Sequence, residues 1–127
     1  MSKKVLIVDD EVHIRALLER ALEDLEDEDV EILTAEDGAE GLELAQEEKP
    51  DLMFLDIMMP KMNGYQVCEK IKQDPELQDI YVIILTAKGQ TTDKTKAKDV
   101  QANEYLTKPF NPDMILEKAC DILDIEL

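Results

Sequence analysis

The 127-residue sequence predicts an α/β fold in which a five-stranded parallel sheet is covered by helices on both faces. Three observations predict it. Short runs of β-branched and large apolar residues recur, and each stops at a polar residue, as strands buried on both faces do. Amphipathic segments of helix length separate the runs, giving five strand–helix units. The residues that end the runs are acids, a hydroxyl and a lysine, and such residues gather where parallel strands finish.

The first strand is Val5-Leu6-Ile7-Val8, followed by Asp9-Asp10-Glu11. Ile14, Leu17, Leu18, Ala21, Leu22 and Leu25 then recur at three- and four-residue steps, which predicts an amphipathic helix from about Glu11 to Glu26. Glu11 opens it, because a negative charge suits the start of a helix dipole. Val30 to Ala35 is the second strand, and Gly38 to Glu48 a weaker helix that turns Leu42 and Ala45 inward and stops before Pro50. The third strand, Leu52-Met53-Phe54-Leu55, stops at Asp56. In the loop that follows, Pro60 adds stiffness and Gly64 offers a positive φ angle. The third helix starts near Gly64, presents Val67, Cys68 and Ile71, and breaks at Asp74-Pro75.

Ile80 to Leu85 is the fourth strand and ends at Thr86-Ala87. The polar stretch around Thr91 to Gln101 forms the fourth helix, whose apolar anchors are chiefly Ala97 and Val100, so it should be locally weak. The fifth strand, Glu104 to Thr107, ends at Lys108-Pro109. Asn111-Pro112 is an N-cap with proline at the first helical position, and Ile115, Ala119, Ile122 and Leu123 make the stripe of the fifth helix.

This length suits one domain with a full core. No stretch approaches the roughly 20 apolar residues of a membrane span, and the apolar run near the N-terminus is too short for a signal peptide, so no membrane insertion and a cytoplasmic protein are expected. Cys68 and Cys120 lack CxxC spacing and neighbouring histidines, and read as two buried free thiols in a reducing compartment. A net charge of −17 argues against direct contact with nucleic acid, whose phosphates need a cationic surface. The charge is uneven. Residues 19–48 hold fourteen acids and a single base, Arg20, whereas Lys88, Lys94, Lys96 and Lys98 face Asp93 alone, either as a solvated helix face or as a docking surface.

In an open parallel sheet the loops beyond the carboxyl ends of the strands form the ligand crevice. Asp9, Asp10, Asp56, Thr86 and Lys108 should therefore converge. Carboxylates that close repel one another unless a cation sits among them. The sequence thus proposes a divalent-metal site with a hydroxyl and an ammonium beside it.

Taken together, the segments VLIVDDE, PDLMFLDIMMPKMNG, IILTA and YLTKPF resemble the receiver domain of bacterial two-component response regulators, from Lys4 to about Leu123. The resemblance implies a flavodoxin-like, doubly wound sheet of order 2-1-3-4-5 with five helices, as in the chemotaxis response regulator, and one receiver domain over residues 1–127. It implies that Asp56 accepts a phosphoryl group from a histidine kinase or a histidine phosphotransfer protein. Magnesium, with manganese as an alternative, would be bound by Asp10, Asp56 and the Met58 backbone carbonyl, with Asp9 acting through water. Thr86 would bond a phosphoryl oxygen, and Lys108 would pair with Asp56 and then with the phosphate. Tyr105 matches the family's switch aromatic, though a half-buried tyrosine of an edge strand explains it as well. The Lys108–Pro109 bond is expected to be cis. His13 reads as a surface residue.

The output expected from this family is a downstream protein partner, or a homodimer, bound through the fourth helix, fifth strand and fifth helix. The chain stops after the fifth helix, so no output domain is expected within it. The alternative is a receiver cut from a longer regulator with a DNA-binding or enzymatic output domain. Two departures from the family pattern stand out: Gln101 and Asn103 replace its usual glycine and aspartate before the fifth strand. If position 101 keeps a left-handed geometry, a non-glycine residue costs about 1–2 kcal/mol.

Two other classes fit less well. An aspartate-nucleophile phosphatase needs a second aspartate two residues beyond the first, where this chain has Met58, which cannot transfer a proton. A flavin site needs a hydroxyl- and glycine-rich loop after the first strand, where Asp9-Asp10-Glu11 would repel the phosphate. The expectation is a signalling phospho-acceptor that catalyses only its own phosphorylation and dephosphorylation.

Overall fold

The computed structural model describes residues 3–86, 100–108 and 110–127. The expected fourth helix, the lysine cluster at 88–98 and the Lys108–Pro109 bond lie outside the described residues. Strands β1 (Lys3–Val8), β2 (Val30–Ala35), β3 (Leu52–Asp56), β4 (Tyr81–Thr86) and β5 (Glu104–Thr107) pair in parallel in the order β2-β1-β3-β4-β5. Strand residues alternate between two cores. Leu6, Val8, Met53, Leu55, Val82 and Ile84 face one side, while Val5, Ile7, Leu52, Phe54, Ile83 and Leu85 face the other. The central strands are therefore buried on both faces, which is why they read as unbroken apolar runs.

The first core is closed by α2 (Gly38–Glu48) and α3 (Gly64–Gln73), through Ala45, Val67, Cys68 and Ile71. The second is closed by α1 (Val12–Ala21) and by the C-terminal helix α4 (Pro112–Leu123), the fifth in the sequence reading, through Leu18, Ile115, Ala119 and Leu123. Capping explains the helix starts. Asp37 accepts from the Glu40 amide, Asn63 and Gln66 form a reciprocal capping box, and Asn111 caps a helix with proline in its first turn.

The first helix is shorter than its apolar spacing predicts. α1 ends at Ala21, and Glu23–Glu28 form a 3-10 helix that stops at Asp29, whose φ is 62°. Arg20 is the basic residue of the last α-helical turn, and the acids Glu23, Asp24 and Glu26 follow at the negative end of the helix dipole. The tighter helix still buries Leu25, so the periodicity that suggested a longer α-helix is satisfied by other geometry.

Candidate functional site

Register places the site residues. Val8 of β1 lies opposite Leu55 of β3, so Asp9 and Asp56, one step further on, come level at the carboxyl edge of the sheet. Asp56 pairs with Leu85 of β4, and Thr86 with Thr107 of β5. Lys108 follows, its amide donating to the Thr86 carbonyl at 2.7 Å.

Asp9 is fully buried and tied down at each polar atom. Its amide donates to the Ala35 carbonyl at 3.2 Å, and its own carbonyl accepts from Arg15 Nη1 at 2.7 Å. Oδ1 accepts from the Glu11 amide at 2.9 Å, and Oδ2 faces Lys108 Nζ at 3.2 Å. Asp56 is 5% exposed, with Oδ1 3.0 Å from the same ammonium. Asp10 is exposed at the mouth. One carboxylate oxygen from each of Asp9, Asp10 and Asp56 lies within 4.8 Å of the others.

Electrostatics follow from that crowding. Burial and the charge of Asp9 push the Asp56 carboxyl up to about 6; Lys108 pulls the other way and Asp10 adds to the rise. Burial also raises Asp9, against its hydrogen bond from Glu11 and the charge of Lys108. Burial works against the Lys108 ammonium, but Asp56 and Asp9 outweigh it and lift its pKa. One ammonium does not neutralise three carboxylates. An all-oxygen donor set of this charge fits a hard dication such as magnesium rather than a soft metal.

Thr86 is buried in the same row of strand ends, its hydroxyl directed at β5: Oγ1 lies 3.4 Å from the Leu106 carbonyl and 3.5 Å from the Thr107 hydroxyl. Both distances are at the long limit of hydrogen bonding. Tyr105 is 36% exposed on the edge strand β5, and Met58 is 67% exposed in the loop after Asp56. His13 is exposed on α1, as expected.

Two expectations need correction. Gly64 does not supply a positive φ; Lys61, at 69°, turns that loop instead. Glycine is required at 64 because a Cβ there would lie 2.2 Å from the Asp56 carbonyl oxygen, while the Gly64 amide donates to the Ile57 carbonyl at 2.9 Å. Cys68 is buried, its thiol pushed up to about 11 by burial, but Cys120 is only half-buried at the margin of the α4 stripe.

Two further residues, Arg15 and Lys72, hold the surroundings of the site. Arg15 reaches back from α1 to the Asp9 carbonyl and pairs with Glu36 at 3.6 Å. Lys72, one turn beyond Cys68, gives its ammonium to the Gln78 and Ile80 carbonyls at 3.0 and 2.6 Å and to Asn103 Oδ1 at 2.7 Å. In a chain with 31 acids and 14 bases, an arginine five residues after an aspartate pair was the available signal for the first.

Comparison with known proteins fits this geometry. A model of the response regulator receiver domain matches residues 5–120. The chain belongs to that family. It is a receiver domain of the two-component response regulators, a signalling family rather than a conventional enzyme family. It is 43% identical over 112 residues to the alkaline phosphatase synthesis transcriptional regulatory protein PhoP of Bacillus subtilis, covering 88% of this chain and 45% of that protein. It is 38% identical over 120 residues to the DNA-binding dual master transcriptional regulator RpaA of a Synechocystis strain, covering 94% and 48%. The receiver therefore spans less than half the length of these curated relatives. Among solved structures, the chemotaxis response regulator CheY4 of Vibrio cholerae matches with a TM-score of 0.83 at 31% identity, over 96% of this chain and 99% of that one. Among the described residues no helix is long and apolar enough to cross a membrane.

Proposed function

We propose that the receiver takes a phosphoryl group onto Asp56 from the phosphohistidine of a histidine kinase or histidine phosphotransfer protein, in a magnesium-dependent reaction that changes its partner-binding face. The observation that carries this reading is the seat of Asp56: buried at the carboxyl edge of the sheet, 3.0 Å from Lys108 and grouped with two further carboxylates. In the transfer a carboxylate oxygen of Asp56 forms the new P–O bond as the P–N bond breaks, and the departing imidazole takes up a proton. Lys108 holds the acceptor oxygen before transfer and pairs with the phosphoryl oxygens after it.

Asp10, Asp56 and the Met58 carbonyl would hold magnesium, or manganese in its place. Asp9 would act through water, in keeping with both its oxygens being engaged by Glu11 and Lys108. The ion when bound supplies the positive charge that lets an anion approach a phosphoryl group. Thr86 would exchange its long contact with β5 for a phosphoryl oxygen, leaving room for Tyr105 to move. That rearrangement would alter the surface of β5, α4 and the segment before β5, where a downstream protein or a second receiver would bind. The phosphoryl group's leverage is its differential affinity for the two conformations.

A second reading is favoured by coverage: the receiver would be one part of a longer, cytoplasmic regulator whose DNA-binding function resides elsewhere in the protein. The receiver itself, at −17, would not contact nucleic acid directly. The test is incubation with a small phosphodonor and magnesium, followed by intact-mass analysis. One phosphoryl group is expected on the wild type, none on Asp56→Asn, and magnesium affinity should fall roughly tenfold or more in Asp10→Ala. Equal labelling of the asparagine variant would overturn the assignment.

A further inference from the structure

The buried carbonyl of Asp9 lies just past the end of β1, where the sheet ladder no longer supplies its donor. Arg15 supplies it. From the second turn of α1 its Nη1 donates to that oxygen at 2.7 Å, and its Nη2 is held 3.6 Å from Glu36, the residue after β2. The Arg15 side chain is 13% exposed, so its bond to the Asp9 carbonyl is an interior contact, whereas Glu36, 75% exposed, meets the other side of the guanidinium at the surface. Together with the Asp9 amide bonded to Ala35 and Oδ1 bonded to the Glu11 amide, it fixes the turn that carries Asp9 and Asp10 from both sides.

The peptide unit between Asp9 and Asp10 is planar, so the direction of the Asp9 carbonyl sets the plane containing the Asp10 nitrogen and Cα. Among the described residues, no hydrogen bond or ion pair holds the exposed Asp10 carboxylate. Its aim therefore depends on where its backbone is pointed. The contact is one of placement: neither Asp9 nor Asp56 owes its raised pKa to the guanidinium.

We infer that Arg15 is a positioning residue for the acceptor site, aiming Asp10 at the divalent cation by clamping the Asp9 carbonyl against the end of β2. This rests on the proposed reading of the site as a magnesium centre. Groups that orient direct ligands typically govern 10- to 100-fold of metal affinity when removed. Lysine at 15 could still donate to the Asp9 carbonyl but could not reach Glu36 at the same time, because it lacks the forked guanidinium.

The experiment titrates magnesium into wild type, Arg15→Ala and Arg15→Lys, reading affinity by calorimetry and by the Asp10 and Glu11 amide shifts, with urea stability measured in parallel. Arg15→Ala should weaken magnesium about tenfold and shift both amides before any metal is added. Arg15→Lys should recover part of both effects, and labelling of Asp56 at saturating magnesium should reach the wild-type extent. Should Arg15→Ala not fold, Arg15→Gln, whose amide is too short for the contact, replaces it with the same expectation. Magnesium affinity within twofold of wild type, with unmoved Asp10 and Glu11 amides, overturns the positioning role while leaving the site intact. A wild type that binds no magnesium removes the site reading and this inference together.

Discussion

Lys108 Nζ lies 3.0 Å from Asp56 Oδ1, yet the Asp56 carboxyl is still pushed up to about 6. Burial, Asp9 and Asp10 together outweigh the one ammonium within reach. The Asp56 side chain is thus held in a poorly solvated, negatively charged place, and the fold bears the cost.

That cost has a definite pH dependence. A carboxyl raised from 3.8 to about 6 keeps its proton in the native state over an interval where the unfolded chain has released it. Its contribution to stability is therefore present below about 4 and is lost as pH rises through about 6. Asp56→Asn, permanently neutral, should be more stable than wild type at pH 8 by on the order of 2 kcal/mol, and the two should converge near pH 4. Urea denaturation in the presence of a chelator across this range measures the difference. A gap that does not change with pH would contradict the electrostatic origin.

The segment entering β5 carries two replaceable residues. Gln101 adopts a φ of 65°, so Gln101→Gly should stabilise the receiver by about 1 kcal/mol. Asn103 Oδ1 accepts from both Lys72 and the Val82 amide, and burial lowers the Lys72 pKa. Asn103→Asp would give that ammonium a charged acceptor and should add a further increment on the order of 1 kcal/mol. Chemical denaturation of the single and double variants checks both, and a loss of stability in either would refute its rationale.

These two positions also show how far the sequence could be read. Gln101 stood out because the family pattern has glycine there, and the structure gives it the left-handed backbone that such a glycine would serve. The strands and the residues that end them were legible because parallel strands covered on both faces leave unbroken apolar runs that stop at polar groups. The alternate roles of Leu22 and Leu25 were not: an α-helix and a 3-10 helix can both bury leucines three residues apart. Arg15 left only the faint signal of its spacing from the aspartate pair and Lys72 none, since their main partners are backbone carbonyls, which carry no residue identity; the others are the Glu36 carboxylate for Arg15 and an amide 31 residues away for Lys72.

Thiol chemistry separates the cysteines. Cys68 is sealed against the Val100 carbonyl with its thiol pushed up to about 11, while Cys120 is half-buried. Only the thiolate reacts with alkylating reagents. Iodoacetamide at pH 8 should modify Cys120 first, with Cys68 reacting only as the protein unfolds. Peptide mass mapping over time would expose the opposite order.

The closest steric constraint on Asp56 comes from Gly64. A methyl group there would lie 2.2 Å from the Asp56 carbonyl oxygen and 3.0 Å from its carbonyl carbon, and neither backbone atom can move without shifting the end of β3. Gly41 provides the comparison, since its added Cβ would meet the Val8 methyls at 2.8 Å, a smaller overlap and with side-chain rather than backbone atoms. Gly64→Ala should therefore cost about 3 kcal/mol and slow phosphoryl labelling of Asp56, whereas Gly41→Ala should cost about 1 kcal/mol and leave labelling near wild type. Denaturation midpoints and labelling rates measured on both variants decide the matter. A Gly64→Ala receiver with wild-type stability and labelling would show that the loop can retreat from Asp56 without consequence.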